Sequence, residues 1–118
     1  MNTILIVDDH AGFRLQARAL LEADGFSVVG EAADGASGLL AVRSLRPDLL
    51  LLDIGLPDLE GFDIADQLAL DGPPPLVVLT SSRQASEYGP RLASSRVLGF
   101  IPKEDLSGSA IRALAQAG

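Results

Sequence analysis

Five apolar runs alternate with segments of helical periodicity along the chain, and this alternation predicts the fold. The runs are rich in Val, Ile and Leu, which is typical of strands buried on both faces of a sheet. They lie at residues 3–7, 26–33, 49–52, 76–79 and 97–101. The second run has more polar content, which favours a place near a sheet edge. Five strands alternating with five helices predict an α/β fold, with a doubly wound five-stranded parallel sheet and helices on both faces.

The helices are predicted from their apolar stripes and from the residues that start or end them. The first helix should turn inward Phe13, Ala17, Leu20 and Leu21, and Gly25 supplies its stop signal. The second, over residues 35–45, should turn inward Leu39, Val42 and Leu45. A helix within residues 84–94 contains Gly89 and Pro90, so it should start late or kink. Ser107 or Ser109 should cap the last helix.

Composition narrows the class of protein. The 118 residues suffice for one domain, and an apolar fraction of 47% excludes a disordered chain. No apolar run reaches the ~20 residues of a membrane helix, and the N-terminus lacks a signal peptide. The absence of cysteine fits a cytoplasmic location. The net charge of −7 argues against nucleic acid binding by this domain. We expect residues 1–118 to form a single domain with no output domain in this chain.

Polar side chains follow four of the five predicted strands. They are Asp8 and Asp9 after the first, Asp53 after the third, Thr80 after the fourth and Lys103 just past the fifth. Taken singly, each has an ordinary explanation: a helix cap, a turn, a strand end or a solvated lysine. Because the carboxyl ends of parallel strands meet at one edge of the sheet, where open α/β sheets bind ligands, we expect these side chains to lie together.

The clustering of three carboxylates needs a compensating cation. Two carboxylates ~5 Å apart at an effective dielectric of ~20 repel each other by about 3 kcal/mol. Oxygen ligands, with no cysteine and a single histidine, favour Mg²⁺ or Mn²⁺ over zinc. A lysine and a hydroxyl beside a carboxylate suit a phosphoryl group, whose charge and oxygens they match. Asp53 is then the predicted nucleophile, which forms an aspartyl phosphate.

At these positions the chain resembles the receiver domain of two-component response regulators, over essentially its whole length. The resemblance rests on Val7-Asp8-Asp9, on Asp53 followed by Pro57 and Gly61, on Thr80-Ser81, and on Phe100-Ile101-Pro102-Lys103. It implies the flavodoxin-like (βα)5 fold of that family. The segment Asp8-Asp9-His10, with Phe13-Arg14 after it, resembles most the LuxR/NarL-like subfamily, whose members usually carry a C-terminal helix-turn-helix.

The resemblance implies a role for each site residue. Asp53 would accept a phosphoryl group from a phosphohistidine of a sensor histidine kinase or a phosphotransfer protein. Mg²⁺ would be ligated by Asp9, Asp53 and the carbonyl of Gly55, while Asp8 would act through water.

Thr80 would then donate a hydrogen bond to the phosphoryl group, and Lys103 would pair with its charge. Phe100 would change rotamer together with Thr80, so these two residues form the predicted switch. His10 receives no catalytic role. The domain would catalyse only its own phosphotransfer and dephosphorylation, and it is therefore not an enzyme in the usual sense.

Two other classes of protein do not fit the residues, because the chain lacks the features that they need. A haloacid-dehalogenase-like phosphatase would need Asp-x-Asp after the first strand and a cap segment, and a flavodoxin would need a Ser/Thr-rich loop there. A stand-alone receiver that acts as a phosphate sink, or a pseudo-receiver interaction module, is compatible with the motifs. Phosphorylation is expected to promote a homodimer, through either the last helix and strand or the first helix.

Overall fold

The sheet has the predicted parallel, five-stranded architecture. A computed structural model describes residues 2–82 and 97–117. Its strands are β1 (Thr3–Val7), β2 (Ser27–Ala32), β3 (Leu49–Asp53), β4 (Leu76–Ser81) and β5 (Gly99–Pro102). Its helices are α1 (Ala11–Ala23), α2 (Gly35–Leu45), α3 (Gly61–Leu70) and α4 (Gly108–Ala117). A short 3-10 turn, Lys103–Asp105, follows β5. The helix predicted within residues 84–94 lies outside the described residues.

The strand order is β2-β1-β3-β4-β5, and all neighbouring strands are parallel. The prediction that the second strand lies near an edge is therefore confirmed. The chain moves to one side of β1 to form β2 and to the other side to form β3, so the winding direction reverses between β1 and β3. The crevice at such a reversal, beyond the carboxyl ends of the strands, is where doubly wound sheets bind ligands.

Two apolar clusters cover the two faces of the sheet. Successive strand residues point to opposite faces, so Leu50 and Leu52 join one cluster while Leu49 and Leu51 join the other. The first cluster packs against α2 and α3, and the second packs against α1 and α4. Since every residue of β3 is buried, a strand of this composition is stable only in the centre of such a sheet. The prediction of helices on both faces is confirmed.

The helix boundaries follow local capping chemistry. Gly25, which follows the C-cap residue Asp24 of α1, adopts φ +94°, a left-handed conformation that glycine reaches without steric cost. The side chain of Asp34 accepts a hydrogen bond from Ser37 N and thereby caps α2. Ser107 Oγ accepts a hydrogen bond from Ala110 N, so Ser107 rather than Ser109 caps α4. None of the described helices is long and apolar enough to cross a membrane.

Two predicted core positions are wrong. Leu20 is 40% exposed. α1 turns Ala17 and Leu21 to the sheet, and Leu20, the residue before Leu21, points about 100° away from Leu21 around the helix. Leu45 is 45% exposed. Leu45 is the last residue of α2 and covers Gly30 of the edge strand β2. The Cδ1 atom of Leu45 takes up the space that a Cβ atom on Gly30 would need. β2 is the edge strand of the described sheet, so no further strand lies beyond it on the side of Leu45.

Candidate functional site

The predicted site residues meet at the carboxyl edge of the sheet because of strand register. Asp53 is the last residue of β3 and pairs in register with Thr80 of β4. Thr80 in turn pairs with Ile101 of β5, two residues before Lys103. Asp8 directly follows β1, whose last residue Val7 pairs with Leu52. Four strands therefore deliver a carboxylate, a hydroxyl or an ammonium group to one crevice.

The Asp53 carboxylate lies at the centre of this crevice and is 4% exposed. Its Oδ1 accepts a hydrogen bond of 3.2 Å from Gly55 N, and its Oδ2 lies 3.6 Å from Lys103 Nζ. Burial raises the pKa of the Asp53 carboxyl, the negative charge of Asp8 raises it further, and the charge of Lys103 opposes both. The metal-free site therefore holds this charge at a cost, which a bound cation would relieve.

Lys103 is shared between two carboxylates. Its Nζ lies 2.7 Å from Asp8 Oδ2, closer than to Asp53. Asp8 is fully buried, and its Oδ1 accepts a hydrogen bond of 2.8 Å from His10 N. Its Oδ2 is paired with Lys103 Nζ, and no other hydrogen bond to this oxygen is present within the described residues. This oxygen could contact a metal ion or a metal-bound water if Lys103 moved away from it.

Four side chains could hold a cation between them. One ligand atom from each of Asp8, Asp9, His10 and Asp53 lies within 4.8 Å of the others. Three of the four donors are carboxylates, the ligands that Mg²⁺ and Mn²⁺ prefer, so the residues present fit the predicted metal. His10 was not predicted as part of this group. Its Nδ1 lies 3.2 Å from Asp8 Oδ1 and 3.1 Å from Asp9 Oδ1, and its adjacency to the two aspartates was the only signal in the sequence.

An ion-pair network holds the loop that carries these aspartates. Arg14 of α1 donates from Nη1 to the backbone carbonyl of Asp8 and from Nε to Glu31 Oε1 at 3.0 Å. Arg18 donates to the other oxygen of Glu31 at 2.8 Å. The hydrogen bond from Arg18 lowers the pKa of the Glu31 carboxyl, and Arg14 lowers it further against the opposing effect of burial. The first turn of α1 is thereby tied to β2 beside the site.

The loop after β3 is closely packed beneath Asp53. Gly61 donates its N–H to Ile54 O at 2.9 Å, and a Cβ atom on Gly61 would lie 2.9 Å from the backbone oxygen of Asp53. Only glycine permits this approach without a shift of the backbone. Gly61, which belongs to the predicted motif, therefore has a packing role.

In the same loop, the two oxygens of Asp58 accept hydrogen bonds from Gly35 N and Ala36 N at the start of α2.

The two predicted switch residues lie on adjacent strands. Thr80 is fully buried, and its Oγ1 donates a hydrogen bond of 2.7 Å to the carbonyl of Ile101. Phe100 pairs in register with Leu79 and packs, partly buried, against the cluster under α2 and α3. The structure thus brings together Asp8, Asp9, Asp53 and Lys103, places Gly55 and Thr80 beside Asp53, and sets Phe100 next to the strand that carries Thr80. The roles assigned to these residues stay predictions.

Comparisons with known proteins agree on the family. The profile of the response regulator receiver domain matches residues 4–114. A transcriptional regulator of Pseudomonas aeruginosa is 41% identical over 106 residues, which is 89% of this chain and 51% of that protein. BvgA of Bordetella pertussis, named as a positive transcription regulator of virulence factors, is 36% identical over 88% of this chain and 50% of its own length. The chain thus spans about half the length of these curated relatives.

A solved structure is similar over almost the whole chain. The signal receiver domain of the response regulator NarL from Mycobacterium tuberculosis superposes with a TM-score of 0.85 at 28% identity, covering 98% of this chain and 94% of that one. The fold and the site are those of a doubly wound α/β domain with an acidic cluster at the carboxyl edge of its sheet. The chain belongs to the response regulator receiver domain family.

Proposed function

We propose that Asp53 accepts a phosphoryl group from a phosphohistidine of a sensor histidine kinase or a phosphotransfer protein. The observation that carries the proposal is the position of the buried Asp53 carboxylate, 3.6 Å from Lys103 Nζ and within the acidic cluster of Asp8 and Asp9. A nucleophile, a cation and hard oxygen ligands are the groups that phosphoryl transfer to a carboxylate requires.

The transfer is a displacement at phosphorus. An oxygen of Asp53 forms the new bond to phosphorus while the bond from phosphorus to the histidine nitrogen breaks, and the electron pair leaves with the imidazole. Lys103 balances the negative charge on the phosphoryl oxygens, and the Thr80 hydroxyl donates a hydrogen bond to one of them once it leaves Ile101. The same residues act when water later removes the phosphoryl group. Both reactions of the domain, phosphotransfer and dephosphorylation, then take place on its own Asp53.

A divalent cation, Mg²⁺ with Mn²⁺ as a substitute, would be held by Asp9, Asp53 and the carbonyl of Gly55, with Asp8 linked through water. When bound, it would neutralise charge on the phosphoryl oxygens and on the carboxylates. The fit of the oxygen-rich donor set supports this assignment. The largely exposed ring of His10 contacts the carboxylates of Asp8 and Asp9 at the outer side of the cluster.

The output of the switch is a change in protein contacts. Because relatives that are about twice as long are named transcription regulators, we infer that the native protein uses this domain to control an attached or associated DNA-binding partner in the cytoplasm. The domain itself has a net charge of −7 and would not bind DNA directly. Phosphorylation would shift a two-state equilibrium of the domain towards the form that dimerises or contacts its partner.

Beryllofluoride, which mimics a phosphoryl group on a carboxylate, tests the assignment of Asp53 without a kinase. The wild-type protein should bind beryllofluoride only when Mg²⁺ is present, and Asp53→Asn should abolish binding while the fold is kept. Asp66→Asn is the matched control, since Asp66 is an exposed carboxylate on α3. Binding by Asp53→Asn equal to that of the wild type would contradict the proposal.

A further inference from the structure

The aromatic ring of Phe13 lies beneath the ammonium group of the site lysine. Lys103 Nζ stands 4.6 Å from the centroid of the Phe13 ring, within the range of a cation–π interaction. Phe13 is the third residue of α1, the helix whose Arg14 donates to the backbone carbonyl of Asp8. The ring is partly buried against the apolar cluster under α1 and α4, which fixes its orientation.

Lys103 has to change partners during the proposed reaction. In the resting protein its Nζ is closest to Asp8, at 2.7 Å, and it stands 3.6 Å from Asp53. Pairing with a phosphoryl group on Asp53 would draw the ammonium group away from Asp8 Oδ2, an oxygen that could then serve the cation or its water. A flexible lysine released in this way could instead extend into solvent, where an ammonium ion is strongly hydrated.

The face of an aromatic ring is suited to retain such an ammonium group. Its attraction for a cation comes from the ring quadrupole and has no single acceptor atom, so the cation can slide across the face without losing the contact. The Phe13 ring can therefore hold Nζ inside the crevice during the exchange of Asp8 for the phosphoryl group. A leucine at this position would fill the apolar space but offer no such attraction.

We propose that Phe13 is a positioning residue that keeps the Lys103 ammonium in the crevice and directs it to the phosphoryl group on Asp53. The inference rests on the proposed function and extends it to a residue outside the metal and phosphoryl contacts. It predicts that the affinity for a phosphoryl mimic and the affinity for Mg²⁺ respond differently to loss of the Phe13 ring. Loss of the ring should weaken binding of a phosphoryl mimic, whereas Mg²⁺ binding should be unchanged or slightly tighter, because Lys103 competes with the cation for Asp8.

Three variants, with a fourth in reserve, test whether the two affinities respond differently. Phe13→Leu removes the ring but keeps an apolar side chain, and Phe13→Tyr restores the ring face. Phe26→Leu is the matched control, because the Arg112 guanidinium lies 4.7 Å from the Phe26 ring in an equivalent contact remote from Lys103. Phe13→Met, which is unbranched and adaptable, repeats the test if Phe13→Leu does not fold. Calorimetry would give the affinity for Mg²⁺ alone and the affinity for beryllofluoride at saturating Mg²⁺.

The expected result is a beryllofluoride affinity about 3- to 10-fold weaker in Phe13→Leu, a size typical of one partly buried cation–π contact. The affinity for Mg²⁺ should not fall, Phe13→Tyr should recover the wild-type value, and Phe26→Leu should leave both affinities unchanged. An unaltered beryllofluoride affinity in Phe13→Leu would overturn the inference. So would an equal loss of both affinities, because it would show a general structural role for Phe13. If the wild-type protein itself failed to bind beryllofluoride with Mg²⁺, the proposed function would fall first.

Discussion

Thr80 donates its hydroxyl hydrogen to the backbone carbonyl of Ile101 at 2.7 Å, across the paired ends of β4 and β5. The donor that is predicted to bind a phosphoryl group is thus engaged by the neighbouring strand in the resting protein. When the hydroxyl rotates to the phosphoryl group on Asp53, the Ile101 carbonyl, next to Phe100 in the chain, loses this hydrogen bond. Phosphorylation of β3 would therefore be transmitted through Thr80 to the strand that carries the second switch residue.

Removal of the Thr80 hydroxyl should uncouple the switch from the chemistry. We expect Thr80→Ala to accept a phosphoryl group at Asp53 but to show a weaker change around Phe100. It should also unfold about 0.5–1.5 kcal/mol more easily, because the buried hydrogen bond from Thr80 to the Ile101 carbonyl is lost. NMR spectra with and without beryllofluoride measure the coupling, and Thr80→Ser, which keeps the hydroxyl, is the control. A full wild-type shift pattern around Phe100 in Thr80→Ala would contradict the coupling.

The charge of Asp53 should destabilise the metal-free protein. Because burial and Asp8 raise the pKa of the Asp53 carboxyl, the folded state holds the ionised form less well than the unfolded state does. Stability should therefore fall as pH rises from the unfolded pKa through the higher folded pKa. Asp53→Asn should raise the free energy of unfolding at neutral pH by roughly 1 kcal/mol, since Lys103 offsets part of the repulsion.

Urea unfolding in the presence of a chelator measures this effect, and repetition with Mg²⁺ provides the control. The advantage of Asp53→Asn should shrink when the cation neutralises the cluster, because the wild-type protein then gains binding energy that the variant lacks. A metal-free Asp53→Asn variant that is less stable than the wild type at neutral pH would show that Lys103 outweighs burial and Asp8.

Asp58 should stabilise the start of α2 in a pH-dependent manner. Hydrogen bonds from Gly35 N and Ala36 N lower the pKa of the Asp58 carboxyl. Its contribution is therefore complete above the unfolded pKa and is lost as pH falls through the lower folded pKa. Asp58→Asn should lower the urea midpoint at neutral pH, and the difference from the wild type should narrow in acid. Asp66→Asn is the exposed control, and an identical loss in both variants would argue against the capping role.

Phosphorylation should promote self-association, and two leucines offer a way to locate the face. Leu15 of α1 is 71% exposed and Leu70 of α3 is 82% exposed. If α1 forms the dimer interface, Leu15→Asp should prevent the increase in mass that light scattering detects with beryllofluoride, and Leu70→Asp should not. An unchanged dimer in Leu15→Asp would favour the face of α4 and β5. A stable dimer with and without the mimic would exclude oligomerisation as the switch.

The sequence predicted the sheet and the site cluster because both depend on periodicity and strand order. If each apolar run forms a parallel strand, the carboxyl ends of the strands, which carry Asp53 and Lys103, must lie at the same edge of the sheet. Leu20 and Leu45 were misplaced because spacing alone does not show how wide a face a helix buries, nor that α2 ends over an edge strand. The contact between Phe13 and Lys103 could not be predicted, since it joins residues far apart in the chain through the packing of α1.

The most direct test of the central claim is to locate the phosphoryl group itself. Wild-type protein incubated with Mg²⁺ and a small-molecule phosphodonor should gain the mass of one phosphoryl group, labile to mild base and to hydroxylamine, and peptide mapping should place it on Asp53. The Asp53→Asn variant, treated in parallel, should remain unmodified. Undiminished labile phosphorylation of Asp53→Asn would contradict the assignment of Asp53 as the acceptor.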